Sequence, residues 1–206
     1  MLKVVISGIG TDVGKTVASA IISEALEANY WKPVQAGDLE WSDSKKVAHW
    51  TTKVTILPER FCLRTPASPH YAAAVDGITI SPSDFQIPES DRNLVIEGAG
   101  GLMVPLNNEG LLYIDLFEKW QVPVILVSRH YLGSINHTLL SVDALQKRSI
   151  PIAGILFIGD ENKATEEIIS AITKVKILGR IPFAEEVNAK FIQEQAAEYK
   201  HLEEKL

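Results

Sequence analysis

The chain opens on Leu2-Lys3-Val4-Val5-Ile6-Ser7 and passes without a linker into Gly8-Ile9-Gly10-Thr11-Asp12-Val13-Gly14-Lys15-Thr16. A short run of β-branched residues ended by a glycine turn reads as a buried parallel strand. From Gly14 to about Ala28, Val17, Ala18, Ile21, Ile22, Ala25 and Leu26 recur at helical spacing. A strand feeding a helix through a Gly-rich turn leaves unsatisfied N–H groups at the helix start, and these attract phosphate. Gly14-Lys15-Thr16 adds a full charge for the terminal phosphates and a hydroxyl suited to Mg²⁺. The ordinary phosphate-loop spacing, G-x-x-x-x-G-K-[ST], places its first glycine at position 9, which here is Ile9, with Gly8 and Gly10 on either side.

The same alternation continues downstream. Leu94-Val95-Ile96 leads into Glu97 and the cluster Gly98-Ala99-Gly100-Gly101, and residues 123–127 (PVILV) form another buried run. A helix is expected from about Ser134 to Gln146, a strand over 152–158, a helix over 162–173, a strand over 177–181 and an amphipathic helix from about Asn188. The pattern predicts one α/β domain over residues 1–206, a mostly parallel sheet with helices on both faces. The stretch 38–92 has weak periodicity and several Pro, Ser and Asp residues, and reads as loops and short helices over the C-terminal edge of the sheet. Ligands of open α/β sheets bind at that edge.

Composition narrows the partners. A formal net charge of -6 disfavours nucleic acid and anionic membranes, both of which need clustered cations. Cys62 is the only cysteine, which excludes an intrachain disulfide and a cysteine metal cluster. No apolar stretch approaches the roughly 20 residues of a membrane span, and the N-terminal run is too short for a signal peptide, so the expected location is the cytoplasm.

A phosphate loop needs an acidic partner on a second strand to hold magnesium, and Glu97 stands at such a strand end. Lys32 precedes Pro33, which forces it into extended backbone beside buried residues. A second lysine near the loop can neutralise charge that develops during phosphoryl transfer. His70 and His137 have no companions at metal-ligand spacing and read as structural or hydrogen-bonding groups.

Taken in order, these motifs resemble dethiobiotin synthetases, whose loop is one residue longer and aligns with Gly8 to Thr16 without a gap. The resemblance extends to Lys32-Pro33-Val34, Ser42-Asp43, Pro66-Ala67-Ser68-Pro69-His70, Glu97 to Gly101 and Leu132-Gly133-Ser134-Ile135-Asn136-His137, from residue 4 to about 183. It implies a P-loop NTPase-type enzyme that uses ATP and Mg²⁺ to carboxylate and close 7,8-diaminopelargonic acid with CO₂. The implied catalytic groups are Lys15, Lys32 and Thr11, with Thr16, Asp43 and Glu97 on the metal. The implied nucleotide site takes in Gly10, Thr11, Asp12, Val13, Gly14, Lys15, Thr16, Val17, Glu97, Gly98, Gly100, Gly101 and Pro182. The implied substrate site has Thr11 and Asp12 facing the diamine, Lys32 on the carbamate and the transferring phosphoryl group, and Gly133, Ser134 and Asn136 binding the substrate carboxylate from the other subunit of an implied homodimer.

Some positions depart from the family. Ile9 and Gly10 stand where threonine and aspartate are frequent, Asp12 where glutamate is frequent, and Ala36 where many members have serine. The strand 154–160 ends without the family's adenine-recognising asparagine, which implies weakened adenine selectivity. Two other readings remain at this point. A partitioning-type switch ATPase carries a lysine five positions before the loop lysine, where this chain has Gly10, and its basic membrane tail contrasts with the mixed charges of residues 191–206. A nucleotide-binding module without turnover would not need Lys15, Thr16, Lys32, Asp43 and Glu97 together.

Overall fold

The computed structural model describes residues 1–205; Leu206, the last residue of the expected tail helix, lies outside them. The first strand, β1 (Lys3–Gly8), is followed by α1 (Lys15–Ala25), β2 (Asn29–Trp31), β3 (Val34–Ala36), α2 (Asp43–Trp50), β4 (Thr55–Leu57) and β5 (Phe61–Leu63). Then come α3 (Pro69–Asp76), β6 (Leu94–Gly101), α4 (Tyr113–Trp120), β7 (Val124–Arg129) and α5 (Ser134–Lys147). The chain ends with β8 (Ile152–Ile158), α6 (Lys163–Thr173), β9 (Ile177–Ile181) and α7 (Ala189–Glu198).

Seven strands form one sheet in the order β4-β2-β6-β1-β7-β8-β9, and all of its pairings are parallel. The strands alternate between two cores, as a pleat of period two requires. Val4 and Ile6 of β1, Val95 of β6 and Ile125 and Val127 of β7 pack with Ala18, Ile21 and Ile22 of α1. Val5, Leu94 and Ile96 point the other way, onto Tyr113, Ile114 and Phe117 of α4. Leu126, Ile155 and Phe157 meet Val142 of α5 and Ile169 of α6. Both faces are therefore covered, and the strands read as nearly continuous apolar runs for that reason.

From β1 the chain goes towards β2, whereas from β7 it goes to β8, in the opposite direction along the sheet. Such a switch point opens a crevice at the C-terminal ends of the strands, and the turn after β1 lies in it.

The stretch 38–92 holds more regular structure than its sequence suggests. It contains the expected short helices, α2 and α3, but also β4 at the edge of the main sheet and β5, which pairs with β3 in a separate two-stranded sheet. Each of these strands is three residues long and half exposed, so neither leaves a periodic trace. The β3–β5 unit stands beside the C-terminal edge and carries Gly37, which follows β3 with φ +72. A Cβ there would lie 2.5 Å from Pro66 Cβ and 2.6 Å from Pro66 Cα. Gly37→Ala is expected to combine left-handed strain with that collision, costing about 2 kcal/mol and lowering Tm by roughly 4–8 °C. Thermal unfolding monitored by circular dichroism checks this.

Candidate active site

The turn from β1 to α1 explains its own glycine spacing. A Cβ on Gly8 would stand 2.6 Å from Val13 Cγ2 and 2.9 Å from the Gly10 carbonyl oxygen, because Val13 folds under the loop and is buried there. Position 9 has no such constraint, and Ile9 packs its side chain against the core. Thr11 and Asp12 form the exposed tip, with Asp12 in left-handed backbone at φ 56. Gly14, at φ 94, starts α1 and is backed by Ile158 at the end of β8.

Lys15 is 8% exposed and bends back so that its Nζ donates to the Gly10 carbonyl at 2.8 Å. Burial lowers its pKa to about 8, with Glu97 opposing and Lys32 reinforcing the shift. Thr16 Oγ1 donates to Glu97 Oε1 at 3.0 Å. Glu97 is 0% exposed, and its other oxygen accepts from Tyr30 Oη at 2.9 Å.

Strand alternation brings these groups together. Glu97 stands two residues after Val95, so both face α1, and Tyr30 packs in the same core as Val95. Lys32 continues the parity of Tyr30 beyond β2, is 4% exposed, and donates to Glu97 Oε1 at 3.0 Å and to Asp43 Oδ2. Burial alone would depress Lys32, but the two carboxylates outweigh it and raise its pKa.

Asp43 is the first residue of α2, whose N-cap Ser42 accepts from the Lys45 N–H at 3.3 Å. Gln35 of β3 fixes this helix start: its Oε1 accepts from the Asp43 N–H at 3.3 Å while its Nε2 donates to the Gly37 carbonyl. Lys46, one turn into α2, reaches Asp43 Oδ1 at 3.4 Å. Burial would raise the Asp43 carboxyl, yet the Lys32 and Lys46 ammonium groups hold it below the ordinary carboxylate range.

The network lines a cavity of about 740 Å³ whose opposite wall is Pro66-Ala67-Ser68-Pro69. Of the residues named from sequence, Thr11, Asp12, Gly14, Lys15, Thr16, Val17, Lys32, Asp43, Glu97 and Gly100 line it. Gly10 and Val13 belong to the loop but not to the cavity wall, and Gly98 is buried against Phe117 in β6. Gly101 ends β6 beside Gly10, and Pro182 follows β9 at the surface. Gly133, Ser134 and Asn136 start α5, outside the cavity wall, with Gly133 at φ 104.

His70 and His137 are both engaged in hydrogen bonds, with Ser68 Oγ at 3.0 Å and Tyr131 Oη at 2.7 Å. Three groups went unread in the sequence: Tyr30, Gln35 and Lys46. The i,i+3 spacing from Asp43 could have revealed Lys46. The other two act across strands and loops that only the topology brings together.

Thr16, Asp43 and Glu97 together offer a hydroxyl and two carboxylates, an all-oxygen donor set of the kind hard divalent cations take. The loop presents N–H groups and Lys15 to an anion on the same side. The arrangement can hold a polyphosphate next to a divalent cation, with a second buried lysine facing both.

The chain resembles known proteins in both fold and sequence. A family model described as an AAA domain matches residues 3–190. Among solved structures, the chain resembles a plasmid partition protein from Borrelia burgdorferi (TM-score 0.58, 14% identity, covering 100% of this chain and 99% of that one). It also resembles the cell-division ATPase MinD of Pyrococcus furiosus (TM-score 0.56, 15% identity, 98% and 100%). At those identities the likeness is one of fold. ATP-dependent dethiobiotin synthetases are far more similar in sequence. That of Afipia carboxidovorans is 54% identical over 183 residues, covering 87% of each chain. The one from Christiangramia forsetii is 55% identical over 190 residues, covering 90% of this chain and 91% of the relative. For Agrobacterium fabrum the figures are 48% over 203 residues, 98% and 95%. Identity at this level along nearly the whole of both chains is decisive, and the chain belongs to the dethiobiotin synthetase family.

Proposed function

We propose that the protein is a cytoplasmic, ATP-dependent cyclo-ligase that converts 7,8-diaminopelargonic acid and CO₂ to dethiobiotin, with release of ADP and phosphate. The observation that carries this reading is the buried Lys15–Thr16–Glu97–Lys32–Asp43 network at the mouth of one cavity. In the reaction an amine adds to CO₂ and loses a proton, giving a carbamate. A carbamate oxygen attacks the γ-phosphorus and ADP leaves. The second amine then attacks the carbonyl of the mixed anhydride, phosphate departs, and a cyclic urea remains. Each step gathers or moves negative charge, so the protein's task is to align the reactants and supply cations.

The residues divide that task. Lys15 turns from the Gly10 carbonyl to the terminal phosphates, and the loop N–H groups from Gly10 to Val17 hold the rest of the chain of phosphates. Thr16, Asp43 and Glu97 would hold Mg²⁺, which would offset the negative charge of the phosphates. Lys32 stabilises the carbamate and the phosphoryl group in transfer. Thr11 and Asp12, at the loop tip, face the diamine.

We further propose a homodimer in which α5 of one copy offers Gly133, Ser134 and Asn136 to the substrate carboxylate of the other. Its support is an exposed apolar surface around that helix start: Tyr131, Leu132, Ile135, Leu140 and Met103. A groove of about 270 Å³ between Met103 and Leu140 continues that surface. Leu140→Glu is expected to yield a folded monomer by sedimentation, with turnover reduced at least tenfold because the shared site is lost.

Nucleobase selectivity is expected to be loose. β8 ends at Ile158 and is followed by Gly159-Asp160, where Ile158 packs on Gly14 and the Phe183 ring covers Gly159, in place of an asparagine amide. GTP and CTP should therefore support product formation, and strict dependence on ATP in a turnover panel would refute this.

The central test is incubation with Mg-ATP, bicarbonate and the diamine, with dethiobiotin detected by mass spectrometry. ATP hydrolysis without that product would favour a switch ATPase, and nucleotide binding without turnover would favour a passive module. Lys15→Met is expected to lower kcat by about 10²-fold or more. It also carries a pH signature. The folded pKa, about 8, lies below the ordinary lysine value of 10.5. Between those values the unfolded chain holds a proton that the folded chain has lost, so wild-type stability rises with pH across that window. The variant lacks this rise. It should exceed the wild type by about 1–3 kcal/mol at pH 7 and lose the advantage towards pH 10, as read by urea denaturation.

A further inference from the structure

Lys32 does more in this structure than face a substrate. Its ammonium donates to Glu97 Oε1 at 3.0 Å and to Asp43 Oδ2, and Thr16 Oγ1 donates to the same Glu97 oxygen at 3.0 Å. The two carboxylates proposed to hold Mg²⁺ thus already share one cation, the protein's own, and Thr16 is hydrogen-bonded to one of them. Glu97 is 0% exposed and Lys32 4% exposed, so each charge is matched chiefly by the other groups of the network. Without a cation between them, the buried Glu97 carboxylate and the partly buried Asp43 carboxylate would repel one another.

We propose that Lys32 is an internal stand-in for the divalent cation, displaced when Mg²⁺ enters and thereby released towards the reacting anion. The inference rests on the metal reading above. Two cations cannot share the space between the same two carboxylates: a unit and a double charge a few ångström apart in a poorly hydrated site repel strongly. The metal has the higher charge and takes the carboxylates. Asp43 does not swing away with Lys32, because Lys46 holds its other oxygen at 3.4 Å and Gln35 accepts from its backbone N–H. Glu97 is likewise kept in place by Tyr30 at 2.9 Å. Lys32 donates to both carboxylates, and it lines the cavity into which it is released.

The exchange has a functional consequence. In the metal-free protein the Lys32 charge is already spent on two carboxylates and is not offered to a carbamate. Metal entry frees that charge, so cation and substrate anion bind with positive coupling, even in the absence of nucleotide. The two carboxylates are also held side by side before the metal arrives.

The test uses the full chain labelled with ¹⁵N-lysine, without nucleotide. In the metal-free wild type, an ammonium proton set held by two carboxylates exchanges slowly with water and gives a protected ¹H–¹⁵N resonance. Both K32M and K32R remove it, which assigns the signal even if one variant folds poorly. Saturating Mg²⁺ is expected to abolish its protection in the wild type. By calorimetry, K32M should bind Mg²⁺ about tenfold more tightly than the wild type, since no resident cation must leave. The proposal is overturned if the Lys32 resonance is unprotected without metal, or stays protected at saturating Mg²⁺. Equal Mg²⁺ affinity in the two proteins would overturn it while leaving the metal site intact. Failure of Mg²⁺ to bind either protein would overturn the metal reading along with it.

Discussion

A carboxylate with no exposure at all, Glu97, holds this site together. Such a group survives burial only when its lone pairs are taken by donors and its charge is matched. Here the donors arrive from three places in the chain: Thr16 at the start of α1, Tyr30 in β2 and Lys32 just beyond it. The parallel pairing of β6 with β1 on one side and β2 on the other makes the three converge. Moving β2 or α1 relative to β6 would leave a buried charge unpaired, so the sheet order and the site stand or fall together.

Around this carboxylate the protein arranges cations. Lys15, Lys32 and Lys46 all line the cavity, and no cysteine does. That suits a reaction whose covalent changes occur among the substrates and whose difficulty is charge. The fold is shared with partition and cell-division ATPases, yet those relatives are only 14–15% identical, while the synthetases share 48–55%. Scaffold and chemistry are separable here: the sheet supplies the switch-point crevice, and residues at the strand ends decide what happens in it.

How far the sequence revealed this depended on the range of each interaction. β1, the loop and α1 were legible because their signals are contiguous and their periods differ sharply. Glu97 was legible because it ends an apolar run and precedes glycines. The short strands β4 and β5 were not: three half-exposed residues carry no period, and their pairing partners lie far away in the chain. α4 went unread although Tyr113, Ile114, Leu116, Phe117 and Trp120 recur at helical spacing, because it is two turns long and runs on from the apolar Leu111 and Leu112. Tyr30 and Gln35 were missed for a related reason. A tyrosine in a buried strand looks like core until the strand beside it is known to carry a carboxylate.

The bent lysine of the loop sets a threshold for entry. Lys15 is satisfied by the loop's own carbonyl at Gly10, 2.8 Å away, and is nearly shut off from solvent. An arriving anion must therefore outbid a neutral acceptor already in place and also repay the hydration it sheds. A dilute monovalent ion gains too little from one ammonium to do so, whereas a polyphosphate engages the lysine, the helix start and a metal at once. The resting loop thus favours anions that engage several groups at once over those that would meet the lysine alone.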